Sequence, residues 1–146
     1  MKPHLSGSVL AEVRQVYAEL GARAIERNCT RLAECCHFKL TGQTPYLTKG
    51  EALLAAKAFR ATGRKALAQK TDGVCPLLDG PTGKCLIYQA RPFGCRTHFC
   101  AAAGGPYRRS EVLGLIRRLE QVDVSLGGTG PRPITRAVAD ALNEIG

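Results

Sequence analysis

The residues with the most chemical reach in this 146-residue chain are its seven cysteines. Three lie close together, at Cys29, Cys35 and Cys36, and four more follow at Cys75, Cys85, Cys95 and Cys100. An ionised cysteine sulfur is both a nucleophile and a soft metal ligand. No pair has the CxxC spacing of a zinc ribbon or a thioredoxin-type redox site. The later four are separated by nine, nine and four residues, so any shared centre must gather them from separate turns of chain. Four thiolates suit tetrahedral zinc, with Zn–S near about 2.3 Å, and suit an iron–sulfur cluster equally well. Cys35 and Cys36 are adjacent, and adjacent side chains diverge. They share one centre only through a special backbone, or else serve two centres or a cluster. A nucleophile pair such as Cys100 and His98 would leave six cysteines without a role.

The compartment decides which use is expected. The start of the chain carries Glu12 and no long apolar run, so no secretory signal is expected. Nor does any apolar run approach the roughly 20 residues of a membrane span. In the cytoplasm, the expected location, thiols stay reduced, become catalytic or bind metal. An odd number of cysteines also leaves one over in a fully paired disulfide framework.

The formal charge is +9 at pH 7, with His neutral. Three readings compete. The excess can belong to an ordinary solvated surface. It can mark a nucleic-acid partner, although no interleaved aromatics support that and the charge run Arg108, Arg109, Arg117, Arg118 is its only motif. Or it can compensate thiolates, since ionising all seven cysteines would offset most of it. Arg27, Arg31, Lys39, Lys84, Arg91 and Arg96 lie close to cysteines in sequence, in keeping with the last reading.

Helices must position these groups. Leu10, Val13, Val16, Tyr17, Leu20, Ala24 and Ile25 recur at three- and four-residue steps, which predicts a helix from Ser8 to about Arg27 that delivers Cys29 at its end. Residues 29–44 read as irregular, or as a single helical turn. Thr48 and Glu51 have capping-box spacing, so a helix should run from Lys49 to Ala61 and end at Gly63. Leu53, Leu54, Ala56, Ala58 and Phe59 should face inward. A further turn is expected over Lys65–Lys70, and Cys85–Tyr88 is the one short strand expected in the Gly- and Pro-rich stretch Thr71–Gly105. Ser110 should cap a helix to about Val124, with Val112, Leu113, Leu115, Ile116, Leu119 and Val122 apolar. After a Gly/Pro linker over 127–133, Ile134–Ile145 should form the last helix, with Val138, Ala141 and Leu142 on its stripe. The expected fold is mainly α: a small single domain over 1–146, a loop-dominated, cysteine-rich metal-binding insert at about 29–100, and a C-terminal helical region at about 110–146. So Gly-rich an insert buries little apolar surface by itself, and metal binding would supply folding free energy to it.

Two blocks carry a family resemblance. One reads Cys29-Thr30-Arg31-Leu32-Ala33-Glu34-Cys35-Cys36. The other opens Cys75-Pro76-Leu77-Leu78-Asp79 and continues Cys85-Leu86-Ile87-Tyr88-Gln89-Ala90-Arg91-Pro92-Phe93-Gly94-Cys95-Arg96, ending Thr97-His98-Phe99-Cys100. They resemble the YkgJ-like cysteine-cluster family, zinc- or iron-chelating domains of the CxxCxxCC type. The match is specific over Cys75–Cys100 and covers about half the chain in all. It implies metal binding, with zinc or iron left open and no reaction specified. This chain departs from the pattern at Leu32, which stands where the family has its second cysteine. Either that ligand is dispensable, or the site is smaller, or His37 or His98 replaces it; His4 is terminal and is discounted.

The motif's other residues have structural and functional readings side by side. Arg91 and Arg96 could neutralise thiolates, pair with Asp79 or bind an anion, or simply build the loop. Asp79 suits a turn before Gly80, and Tyr88 suits the core. Gly80-Pro81-Thr82-Gly83-Lys84 lacks the full phosphate-loop pattern. The leading expectation is a metal-binding protein whose ligands are Cys29, Cys35, Cys36, Cys75, Cys85, Cys95 and Cys100. The alternatives are an iron or iron–sulfur redox enzyme or sensor, and a zinc-stabilised module that binds nucleic acid or protein.

Overall fold

The apolar steps after Ser8 do form a helix, α1 (Gly7–Gly21), with Leu10, Val13, Val16, Tyr17 and Leu20 buried along one face. The computed structural model describes residues 7–22, 45–67, 75–79, 82, 84–97 and 109–145. The expectations placed on 23–44, on 68–74 and on 98–108 therefore lie outside the described residues; among them are Ala24, Ile25, Cys29, Leu32, Cys35, Cys36, His37, His98 and Cys100. The chain is mainly helical, as its patterning predicts.

After β1 (Tyr46–Leu47) comes α2 (Lys49–Ala61), whose bounds follow the capping signals. Thr48 is extended (φ −72°, ψ 165°), and its N–H donates to Glu51 Oε1 at 3.2 Å, one half of the capping box. At the other end Gly63 turns to φ +89°, the left-handed conformation that glycine adopts without a Cβ clash, and its N–H reaches back to the Arg60 carbonyl at 2.9 Å. Leu53, Leu54, Ala56 and Phe59 are buried as expected; Ala58 is only partly so.

Two short strands follow, β2 (Leu78–Asp79) and β3 (Lys84–Cys85), then a 3₁₀ turn over Tyr88–Ala90 and the short α3 (Phe93–Thr97). The strand expected over Cys85–Tyr88 is thus shifted and halved. It ends at Cys85 because residues 86–87 turn into the 3₁₀ segment, and it pairs with a strand that the sequence pattern did not single out. Nor is the turn expected from Lys65 present over residues 65–67.

The chain closes with α4 (Arg109–Ser125), β4 (Arg132–Pro133) and α5 (Ile134–Ile145). Ser110 lies inside α4 rather than capping it. The supposed linker contributes β4, antiparallel to β1 with Leu47 opposite Arg132. A small two-stranded ribbon therefore ties the start of α2 to the start of α5. Asp123, only 3 % exposed, reinforces the same corner. Its carboxylate accepts the Lys49 N–H at 2.7 Å and the Gly130 N–H at 2.9 Å, placing negative charge at the positive end of α2.

The helices enclose one apolar cluster in which α2 packs on α1, α4 and α5. Leu77, Leu78, Ile87 and Phe93 of the cysteine-bearing segment belong to it, so that segment is docked on the helices rather than hung from them. On the outside, Arg118 of α4 grips Glu12 through two nitrogens and Glu19 through a third, and its hydrogen bonds hold the Glu12 carboxyl below its ordinary pKa. Among the described residues no helix is long and apolar enough to cross a membrane.

Gly50 and Gly114 should respond oppositely to alanine. A Cβ at Gly50 would meet Val122 Cγ1 at 2.7 Å and Val13 Cγ2 at 2.9 Å, side chains whose branching leaves them little rotamer freedom in a helix. Overpacking of about 1–3 kcal/mol should outweigh the helix-propensity gain of about 1 kcal/mol. A Cβ at Gly114 meets nothing within 4 Å, so that gain should appear almost undiminished. Urea midpoints of Gly50→Ala and Gly114→Ala should fall and rise respectively; a Gly50→Ala protein as stable as the parent would disprove the close crossing.

Candidate metal centre

The cysteine-bearing segment begins as a tight turn. Leu78 N–H donates to the Cys75 carbonyl at 3.1 Å, and Leu78 then stands opposite Cys85 across the β2–β3 pair. Leu86 N–H closes on the Leu77 carbonyl at 2.9 Å. This register brings Cys75 and Cys85 to the same open end of the hairpin. At its other end Thr82 donates its hydroxyl to Asp79 at 2.6 Å, so Asp79 serves the turn, as its place before Gly80 suggests.

From Cys85 the chain passes through the 3₁₀ turn into Arg91-Pro92, where Arg91 is extended (φ −56°, ψ 139°), the conformation a following proline favours. Pro92 is fully buried, and its carbonyl accepts from Cys95 at 3.0 Å and from Arg96 at 3.1 Å to open α3. Cys75 is 3 % exposed and Cys95 9 %, while Cys85 is partly buried; all three carry thiols rather than disulfides.

Both motif arginines are engaged by the loop itself. Arg91 Nε donates to the Tyr88 carbonyl at 2.9 Å, with its guanidinium 3.9 Å from the Tyr88 ring centroid. Arg96 Nε donates to the Arg91 carbonyl at 2.6 Å and a terminal nitrogen to the Gln89 carbonyl at 2.7 Å. Its guanidinium also lies 4.2 Å from the centroid of the Tyr17 ring, in α1. Of the readings open for these arginines, building the loop is the one the contacts fill. Burial pulls the Arg96 pKa down, and nearby Tyr17, Cys95 and Glu51 act against that.

In the sequence, Glu51 shows only its capping-box spacing to Thr48. The structure gives it more. It is 2 % exposed. Besides Thr48 N–H, its carboxylate accepts the Thr48 hydroxyl at 3.0 Å, the Tyr17 hydroxyl at 3.0 Å and the Phe93 N–H at 2.6 Å. One side chain thus joins α1, α2 and the first amide of α3. The signal was present, since Glu51 lies three and four residues before Leu54 and Ala55 and so on the buried face of α2. Burial pushes the Glu51 pKa up, opposed by its donors, and burial with the neighbouring Glu51 raises that of Tyr17.

Among the described residues no three His, Cys, Asp or Glu side chains form a group that could hold a metal. Cys75, Cys85 and Cys95 supply a soft, all-sulfur donor set of the kind zinc and iron favour. The other four cysteines, and both histidines considered as replacements for Leu32, lie outside the described residues. Elsewhere, a cleft of about 390 Å³ lies between α2, α4 and α5. Its charges pair internally, Lys49 with Glu144 at 3.3 Å and Arg132 with Asp140, and no described cysteine lines it.

Residues 28–113 of the chain match the family model CxxCxxCC, whose description reads "Putative zinc- or iron-chelating domain". The matched span is more than half the chain and takes in every cysteine. No curated protein and no solved structure matches the chain.

The raised Glu51 pKa has a consequence for stability. Between the ordinary value of 4.5 and its raised native value, the folded protein holds a proton that the unfolded chain has released. That contribution is complete below pH 4.5 and is lost as pH rises through the native pKa. Glu51→Gln cannot titrate, so the metal-free variant should lose less stability than the parent over that rise. Urea denaturation at a series of pH values checks this, and identical slopes would contradict it.

Proposed function

Because the chain belongs to this zinc- or iron-chelating family, we propose that it is a thiolate metal-binding protein whose ligands are Cys29, Cys35, Cys36, Cys75, Cys85, Cys95 and Cys100. The finding that carries the reading is the family match over residues 28–113, which takes in every cysteine; in support, Cys75 and Cys95 are buried and Cys85 partly buried, on one short stretch that the helices grip. A cysteine that serves as a nucleophile needs its sulfur exposed to the substrate it attacks. A metal ligand needs the reverse, a fixed position with water excluded, and ionises when the metal arrives. The whole chain works as one domain in this reading, since the cysteine-bearing stretch shares its apolar core with the helices on both sides of it. Its expected location remains the cytoplasm.

Two kinds of centre fit an all-sulfur set. Zinc would act structurally or be carried as cargo; iron or an iron–sulfur cluster would serve redox chemistry or sensing. The nucleic-acid reading draws less support. Arg118, one of the four arginines behind it, is occupied by Glu12 and Glu19.

Elemental analysis and a visible spectrum of protein purified without oxygen test the proposal directly. Stoichiometric zinc and no colour would establish the structural or carrier role, and iron with sulfide and broad absorption the redox role. Protein that holds neither metal when supplied with it would overturn the proposal. Cys85→Ser and Cys95→Ser should each lose metal and lower the melting temperature; full metal content with unchanged melting in both would remove these residues from the ligand set. Leu32→Cys should raise metal occupancy if Leu32 marks a lost ligand.

A further inference from the structure

Thiolate ligation makes no use of the Glu51 carboxylate. Capping α2 does not require its burial either, because a glutamate at the same N3 position performs that task in solvent. What only a buried side chain here achieves is the pair of distant contacts, to Tyr17 in α1 and to the Phe93 N–H at 2.6 Å. Five residues of helix cannot hold themselves in place, since nucleation costs more than so few hydrogen bonds return. Something outside α3 must fix it.

The geometry points to Glu51 as a positioning residue for Cys95, an inference that rests on the thiolate reading above. Glu51 anchors α3 two residues before Cys95, through Phe93 N–H. The Glu51 oxygen that takes this bond also takes the Tyr17 hydroxyl at 3.0 Å, and the Tyr17 ring lies against Arg96, one residue after Cys95. Arg96 in turn holds the Gln89 and Arg91 carbonyls of the preceding turn. Cys95 is therefore bracketed on both sides by a network whose centre is a side chain of α2. Partners behind a metal ligand tune affinity by holding it in place before the metal arrives. By linkage, metal bound at Cys95 stabilises the contact of α3 with α1 and α2 to the same degree.

The test compares full-length, metal-free parent, Glu51→Gln and Val138→Ala. Each is titrated with Zn²⁺ against a chromophoric chelator and with Co²⁺ for its ligand-field spectrum. Glu51→Gln keeps the side chain's size and one carbonyl oxygen for Phe93 N–H, but loses the charge and meets the Thr48 N–H with an amide donor. Val138→Ala opens a small cavity in the core against α5 and serves as a general loss of stability. Glu51→Gln should bind Zn²⁺ about 10-fold more weakly or worse and shift the Co²⁺ spectrum, while Val138→Ala keeps the parent's values. Should Glu51→Gln fail to fold without metal, Tyr17→Phe, which deletes one donor and keeps the ring beneath Arg96, is judged by the same two criteria. Parent-like affinity and spectrum in the Glu51 variant, or equal weakening in Val138→Ala, overturns the inference and leaves the thiolate reading standing. A parent that binds neither ion overturns both.

Discussion

A carboxylate removed from water must be met by donors from the chain itself. In this protein that demand falls on Glu51, and three separate elements answer it. Thr48 supplies two donors from the turn before α2, Tyr17 one from α1, and Phe93 one from the head of α3. An apolar side chain at this position would pack against its neighbours in several acceptable ways. The carboxylate allows one arrangement, because any shift leaves a buried oxygen or a buried N–H unpaired. The place of the cysteine-bearing segment on the helices depends on that requirement.

Asp123 imposes a matching requirement on the other side of the same helix end. It accepts Lys49 N–H, the first amide of α2, and Gly130 N–H from the loop that leads into β4 and α5. Two buried acids thus meet the N-terminal turn of α2, where the unpaired amides of a helix concentrate positive potential. Each connects that turn to a different part of the molecule. Between them, at Gly50, the bare backbone lets α1 and α4 approach closely. The first turn of α2 is where the fold is assembled, and both buried acids take part in that assembly.

This arrangement gives the cysteine-rich stretch a different character from a loop ordered by metal alone. Leu77, Leu78, Ile87 and Phe93 enter the common core, and the two motif arginines fold back onto nearby carbonyls and tyrosine rings. The sulfurs of Cys75 and Cys95 consequently sit at the edge of a packed interior. A cysteine ligates as the thiolate, which ties loss of its proton to metal capture. The family to which the chain belongs leaves zinc and iron open, and an all-sulfur donor set accommodates both.

Local chemistry alone determined a good deal. Thr48, Glu51 and Gly63 set the bounds of α2, and apolar periodicity set α5 residue for residue, because caps and stripes are properties of adjacent residues. The spacing and type of the cysteines likewise indicated metal chemistry before any fold was known. The two short ribbons escaped that logic. Strands of two residues have no periodicity to read, and Leu78 pairs with Cys85, and Leu47 with Arg132, only because the helices bring them together. The Arg91 and Arg96 contacts were undecided for a similar reason: a guanidinium's partner is chosen by what the fold places within reach. Glu51 is the sharpest case. Its role in the cap is written in three residues, whereas its bond to Phe93 spans 42 positions of chain and exists only in the folded molecule.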